Sequence, residues 1–177
     1  GRASILCKAD LVSGMVGEFP KLQGIMGSVY AEKWGEAKEV SMAMYEHYMP
    51  TSSGGELPAT ITGSIISIAD KLDTIAGCFA AGLIPTGAQD PYGLRRHALG
   101  IIAIMLKENL TVPLDELVDK SCELLKAKLT GDKNSVKTDV LEFFKERLKF
   151  NLLSEGIAFD SIDAVLSTLW FNIPDAV

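Results

Sequence analysis

Three observations predict that this sequence folds as an all-α protein. Apolar residues recur at the 3.6-residue period of a helix along most of the chain. The strict alternation typical of half-buried strands is nearly absent, and proline, glycine and serine separate segments of helical length. The chain has 177 residues, 47% of them hydrophobic, and a formal charge of −6. This composition provides a sizeable core and is too apolar for intrinsic disorder.

Three helices and a loop are predicted in the first third of the chain. The Phe19-Pro20 step bends the chain between the first two helices, because the residue before a proline avoids the α conformation. Met49-Pro50 closes the third helix, and the serine- and glycine-rich segment 51–56 is predicted to be a surface loop. The predicted helices cover residues 5–16, 21–33 and 36–48.

A long helix is predicted over residues 58–82, with Pro58 in its first turn. Six apolar residues at helical spacing mark the side of this helix that we expect to face the core. These residues are Ile61, Ile65, Ile68, Leu72, Ile75 and Phe79.

Four further helices are predicted after the loop that contains Pro85 and Gly87. Asp90-Pro91 supplies an N-cap and a proline at the first helical position. Pro113, Ser135 and Asp160 open the later helices, and we expect the tail 172–177 to fray. The predicted helices cover residues 91–109, 113–131, 135–156 and 160–170.

The charge distribution argues against several classes of protein. Residues 1–90 carry 6 Lys/Arg against 10 Asp/Glu, and residues 91–177 carry 11 against 13. Neither half is therefore the basic surface typical of a free-standing nucleic-acid-binding protein. No apolar run approaches the roughly 18 residues of a membrane span, and no signal-peptide pattern opens the chain. Because the sequence begins without Met, we expect a piece of a longer polypeptide.

Histidine and cysteine are too sparse to indicate a metal centre. The chain has only His47 and His97, whereas hydrolytic metal sites in helical proteins gather several His and Asp side chains. Cys7, Cys78 and Cys122 lie far apart without a CxxC pair. We expect reduced thiols in the core and no disulfide or zinc site.

Asp70 stands in the middle of the most apolar predicted helix. A carboxylate there must either face solvent or find a partner, since an unpaired buried charge is costly. Lys8 or a group on another helix could provide that partner, which would make Asp70 a polar tie between helices. A degenerate ligand site is the alternative. If the carboxylate is buried and paired, Asp70→Ala should cost about 3 kcal/mol.

Arg95 and Arg96 are two of the four arginines in the chain. They lie near the start of a predicted helix, where a positive charge opposes the helix dipole. A phosphate contact, to which free N–H groups of the helix would add, is one explanation of their position. An ion pair with an acidic neighbour is the other.

Six segments resemble, in order and spacing, the β subunits of bacterial glycyl-tRNA synthetases. The resemblance covers most of the chain and is clearest up to about residue 108. The segments are CKADLVSGMVGEF (7–19), LQGIMG (22–27), EHYMP (46–50), IADKLDTIAG (68–77), PTG (85–87) and DPYGLRR (90–96).

The resemblance implies a cytoplasmic α2β2 enzyme whose separate α subunit carries a class II active site. Glycine would be activated on that α subunit with ATP and Mg, so no cofactor and no catalytic residue is expected in this chain. The β subunit of the family supplies recognition of tRNA(Gly), and a membrane partner is not expected.

The resemblance further implies a domain related to HD phosphohydrolases. Asp70 corresponds to the last metal-ligand aspartate of such a domain, and Ala9-Asp10 corresponds to its His-Asp pair. Because Ala9 replaces the histidine, we expect a degenerate site at Asp10 and Asp70 that holds no metal and has no phosphatase activity.

We therefore expect an HD-like helical domain over residues 1–89, truncated at its N-terminal side, and a helical region over residues 90–177 that leads toward an anticodon-binding domain. The expected role is tRNA binding in support of glycylation on the α subunit. A metal-dependent HD-type phosphohydrolase and a purely structural helical spacer are the alternatives. The candidate tRNA contacts are Arg95, Arg96, Lys71 and Lys8.

Overall fold

The computed structural model describes residues 1–125, 133–168 and 170–177. Within these ranges the regular secondary structure is helical, apart from one isolated bridge between Thr86 and Gln89. The all-α prediction is therefore confirmed. The chain forms two compact units, Gly1–Asp70 and Lys71–Val177. The domain boundary expected after residue 89 and the likeness to HD domains stay predictions.

Short helices build the first unit. The 3-10 helix Ala9–Val12 packs against α3, and α4 packs against both α1 and α3. The elements are α1 Arg2–Leu6, the 3-10 helix Ala9–Val12, α2 Gly14–Glu18, the 3-10 helix Pro20–Leu22, α3 Ile25–Lys33, α4 Lys38–Glu46 and the first part of α5 Ile61–Ala80.

The prediction of one continuous helix over residues 5–16 is wrong. The Ser13 hydroxyl accepts a hydrogen bond from the Val16 N–H at 3.3 Å and so begins a new helix, α2. The helix predicted from residue 21 begins only at Ile25, because Gly24 has a φ of 80° and interrupts the helical backbone. These breaks place Asp10 on a short 3-10 helix beside the start of α3.

The long predicted helix exists as α5, with a later start and a shorter buried stripe. Thr60, not Pro58, supplies the cap: its hydroxyl accepts a hydrogen bond from the Gly63 N–H at 3.0 Å. Ile61 is 48% exposed and Ile65 is 55% exposed, which contradicts their predicted place in the core. The four apolar residues that are buried as predicted are Ile68, Leu72, Ile75 and Phe79.

Longer helices dominate the second unit. Within it α8 packs against α6, α7 and α9, and α10 packs against α6. Phe144, Leu148, Ile101 and Ile104 are fully buried in its core. The helices are α6 Leu94–Lys107, α7 Leu114–Leu125, α8 Lys133–Ser154, α9 Phe159–Leu166 and α10 Ile173–Ala176.

Several predicted ends in this unit are corrected. Helix α8 begins at Lys133, so Ser135 lies inside it, and α9 is preceded by Ala158 while Asp160 lies in its first turn. The tail does not fray, because it forms α10 with Ile173 fully buried. The predicted end of the sixth helix, at residues 130–131, lies outside the described residues.

Two sequence expectations about the environment of the chain can be compared with the described residues. No helix in the described ranges has both the length and the apolarity needed to cross a membrane. All three cysteines are free thiols; Cys122 is buried, whereas Cys7 and Cys78 are partly exposed. Only Cys122 therefore matches the expected core thiol.

Candidate functional site

Asp10 is a buried carboxylate at the start of the first unit. It is 2% exposed, and its Oδ2 accepts a hydrogen bond from the backbone N–H of Gly24 at 2.7 Å. Its Oδ1 is buried without a hydrogen-bond partner among the described residues. A Cβ on Gly27 would lie 3.2 Å from the Asp10 carboxylate. The spaced glycines Gly24 and Gly27 therefore allow the start of α3 to approach this carboxylate closely.

Asp70 has the partner that the sequence suggested. The Lys8 ammonium lies 2.5 Å from Asp70 Oδ1. The two side chains are 48% and 22% exposed, respectively, so the ion pair is partly open to solvent. The positive charge beside this aspartate is therefore an ammonium supplied by the chain itself.

Tyr48 links the two aspartates electrostatically. Burial raises the pKa of Tyr48 to about 12, and the carboxylates of Asp10 and Asp70 and the Cys7 thiol raise it further, against a lowering effect of Gln23. Burial also raises the pKa of the Cys7 thiol, with Asp70 adding to the effect and Lys8 opposing it. Asp10 and Asp70 thus act on a common neighbourhood, as expected of residues from one degenerate site.

The donor set of this neighbourhood does not make a metal centre. The residues that the structure describes contain no group of three or more His, Cys, Asp and Glu side chains arranged to hold a metal ion. His47 is fully buried, and its Nδ1 lies 2.9 Å from the carbonyl oxygen of Met44. Assignment of Asp10 and Asp70 to an HD-type site stays a prediction.

The partial exposure of the Lys8–Asp70 pair lowers the expected cost of removing it. We expect Asp70→Ala to destabilise the chain by about 1 kcal/mol at low salt, and not by the roughly 3 kcal/mol of a fully buried pair. The effect should shrink at high salt, because mobile ions screen a partly exposed pair.

Urea denaturation at low and high salt measures this effect. Asp73→Ala is the matched control, because Asp73 is an exposed aspartate on the same helix without a hydrogen bond or ion pair among the described residues. A loss of 3 kcal/mol or more for Asp70→Ala, independent of salt, would show that the carboxylate behaves as a buried charge.

Arg95 and Arg96 lie in the first turn of α6. The Asp90 carboxylate accepts hydrogen bonds from the backbone N–H groups of Leu94 at 2.8 Å and Arg95 at 3.0 Å. These N–H groups are therefore not available to a phosphate, which corrects the expected contribution of the helix terminus. No carboxylate in the described ranges lies within ion-pair distance of Arg95 or Arg96.

Sequence reasoning missed a third arginine in this region. Arg147 of α8 has its pKa lowered by burial and by the neighbouring charge of Arg95, while Glu146 and Asp90 oppose the shift. Its guanidinium lies over the Phe143 ring, 4.7 Å from the ring centroid. Arg147 is one of only four arginines in the chain, which is the signal that could have drawn attention to it. We call Arg95, Arg96 and Arg147 the arginine cluster.

The other two candidate tRNA contacts are placed less favourably. Lys71 is 2% exposed, so its ammonium is not presented to an external phosphate. Lys8 is half exposed but is held in the ion pair with Asp70. Of the four candidates, the structure leaves Arg95 and Arg96 on an accessible basic surface.

The fold and the arginine cluster together define a helical module with a basic surface, and a comparison with known families specifies it. The family model described as "Glycyl-tRNA synthetase beta subunit" matches residues 1–167. This chain therefore belongs to the glycyl-tRNA synthetase beta subunit family.

Relatives of high identity agree with the family model. The chain is 56% identical over 175 residues to the glycine–tRNA ligase beta subunit of Geobacter metallireducens, covering 99% of this chain and 25% of that protein. The corresponding protein of Geobacter sulfurreducens is 54% identical, with the same coverage. That of Desulforapulum autotrophicum is 51% identical over 175 residues, again covering 99% of this chain and 25% of the relative. The chain spans about a quarter of the length of these relatives.

Proposed function

We propose that this chain is a tRNA-binding helical part of a glycyl-tRNA synthetase β subunit. The observation that carries the proposal is the family match over residues 1–167, together with relatives above 50% identity across 99% of the chain. The chain itself contributes binding and no catalytic group. Glycine activation with ATP and Mg, and transfer to tRNA(Gly), take place on the α subunit of a cytoplasmic α2β2 enzyme.

The charge distribution limits where the tRNA backbone can be bound. With 17 Lys and Arg against 23 Asp and Glu, the chain as a whole repels a polyanion, and binding must concentrate on a local basic surface. The arginine cluster fits this requirement because guanidinium groups bind phosphate oxygens with two parallel hydrogen bonds.

The mutual arrangement of the cluster also favours an anion. Arg147 and Arg95 carry like charges close enough to act on each other, and the acidic neighbours Asp90 and Glu146 compensate this only in part. The Asp90 carboxylate already caps α6, and Glu146 Oε2 lies 3.6 Å from Arg147. A phosphate between the guanidinium groups would relieve their repulsion.

The salt dependence of tRNA binding tests the proposal. In the complete α2β2 enzyme, we expect Arg95→Ala with Arg96→Ala to weaken tRNA binding and to reduce the slope of log K against log salt by about two, or less for single-stranded contacts. The loss should be similar for tRNAs of different sequence, because phosphate contacts carry no base information.

Lys33→Ala with Lys38→Ala is the matched control. Both lysines are exposed and make no ion pair among the described residues, so the double variant removes the same charge elsewhere. If the arginine variant has the affinity and slope of the wild type while the helices remain folded, the cluster is structural. The chain would then act as a helical spacer within the subunit.

A further inference from the structure

A cavity of about 450 Å³ lies within the first unit, apart from the arginine cluster. Its wall combines apolar residues with one buried carboxylate, two aromatic rings and one ion pair. The residues that carry the argument are Asp10, Gly27, Tyr30, Trp34, Glu36 and Arg2.

Asp10 is the unusual group in this wall. It is 98% inaccessible, and its side chain makes one hydrogen bond, from the Gly24 N–H to Oδ2. Oδ1 has no donor, and no ion pair to this carboxylate exists among the described residues. A buried carboxylate is costly unless charge and hydrogen-bond donors compensate it, so this wall is suited to a cationic donor.

The aromatic rings favour the same class of ligand. Tyr30 and Trp34 stack with their ring centroids 5.6 Å apart, and Trp34 is 77% exposed. Such a pair attracts an alkylammonium group by cation–π interaction and covers its methylene groups. Glu36 is already paired with Arg2, whose Nε lies 3.1 Å from Oε1, so the charge of Asp10 remains to be neutralised.

The space around Asp10 favours a compact cation. Small residues, Ala9, Gly27 and Ala31, line the cavity beside the carboxylate. The terminal methyl of Met44 lies close to Gly27 as well, and this flexible side chain can move to uncover Oδ1. An ammonium is a point charge with three donors, whereas a guanidinium needs room for a planar fork.

We propose that this cavity binds a primary alkylammonium group, with Asp10 Oδ1 accepting its hydrogen bond and Tyr30 and Trp34 covering its alkyl chain. The group comes either from a free amine or from a lysine side chain of the synthetase. An anion would be repelled by Asp10, and a purely apolar ligand would leave the carboxylate uncompensated.

Calorimetric titration of the complete subunit with spermidine tests the free amine. Asp10→Asn keeps an oxygen that can accept the Gly24 N–H but removes the charge, and we expect it to raise the Kd at least tenfold. Trp34→Leu should raise the Kd about threefold, the loss of an exposed cation–π contact of roughly 0.6 kcal/mol. Glu56→Gln is the control, because Glu56 is an exposed acid of the same unit that lies outside the cavity.

Acetylation of lysines, followed by mass spectrometry, tests the protein-derived source in the complete enzyme. If a lysine side chain occupies the cavity, spermidine does not bind, and one lysine is protected in the wild type and becomes reactive in Asp10→Asn. The proposal is wrong if spermidine fails to bind and no lysine changes reactivity, or if spermidine binds equally to the wild type and to Asp10→Asn. None of these outcomes depends on tRNA binding at the arginine cluster.

Discussion

Replacing Gly63 by alanine is expected to destabilise the first unit by about 3 kcal/mol, although alanine is the better helix former by roughly 1 kcal/mol. A Cβ at this position would lie 2.6 Å from Glu46 Cβ and 3.0 Å from Glu46 Cδ, and would overlap Oε2. Glu46 cannot easily move away, because it is 3% exposed and accepts hydrogen bonds from the Ala59 N–H at 3.1 Å and the Thr60 N–H at 3.2 Å. The substitution therefore disturbs the start of α5 as well as the packing.

Gly77→Ala is the matched control for Gly63→Ala. Gly77 lies in the same helix, and a Cβ there would meet nothing within 4 Å. We expect this variant to be stabilised by about 0.5–1 kcal/mol through helix propensity alone. Urea denaturation followed by circular dichroism measures both changes. Equal effects of the two substitutions would contradict the close contact between Gly63 and Glu46.

Replacing Phe144 by alanine is expected to destabilise the second unit by about 3–5 kcal/mol. Its side chain is fully buried and meets the Phe143 ring edge-on, with ring centroids 6.5 Å apart. Truncation removes a large apolar group from water-free surroundings and leaves a cavity that the neighbouring helices fill only in part. The same denaturation experiment measures the loss.

Phe150 provides the control for this truncation. It lies on the same helix, α8, and is 65% exposed, so Phe150→Ala should change the free energy of unfolding by less than about 0.5 kcal/mol. A comparable loss for both variants would show that the buried side of α8 is not the one described.

Periodicity and local chemistry were sufficient to predict much of the architecture. The helical period predicted the fold class and the buried residues from Ile68 to Phe79, because these properties depend on neighbours along one helix. The apolar surroundings of Asp70 in the sequence also indicated that it needs a partner, and Lys8 is that partner.

Features that depend on distant contacts could not be predicted in this way. The backbone break at Gly24 accompanies a hydrogen bond to Asp10, and the start of α5 is held by Glu46 from the preceding helix. Ile61 and Ile65 keep the helical spacing of core residues but remain exposed, since periodicity does not indicate where the core ends.

The candidate site shows the same limitation. The sequence singled out Arg95 and Arg96 because they are adjacent, but Arg147 joins them only through the packing of α8 against α6. The position of Asp90 in the sequence suggested a cap, but only the structure shows that its carboxylate occupies the N–H groups of Leu94 and Arg95. The cavity beside Asp10 likewise arises from residues of several elements.

The most direct test of the proposed function measures two activities of the complete α2β2 enzyme side by side. For Arg95→Ala with Arg96→Ala, we predict that the KM for tRNA in aminoacylation rises about tenfold, as for the loss of roughly 1.5 kcal/mol of charge-assisted contact. Exchange of pyrophosphate into ATP, which reports glycine activation without tRNA, should be unchanged. An unchanged KM for tRNA with the helices folded, or an equal loss of both activities, would contradict a tRNA-binding role for this part of the β subunit.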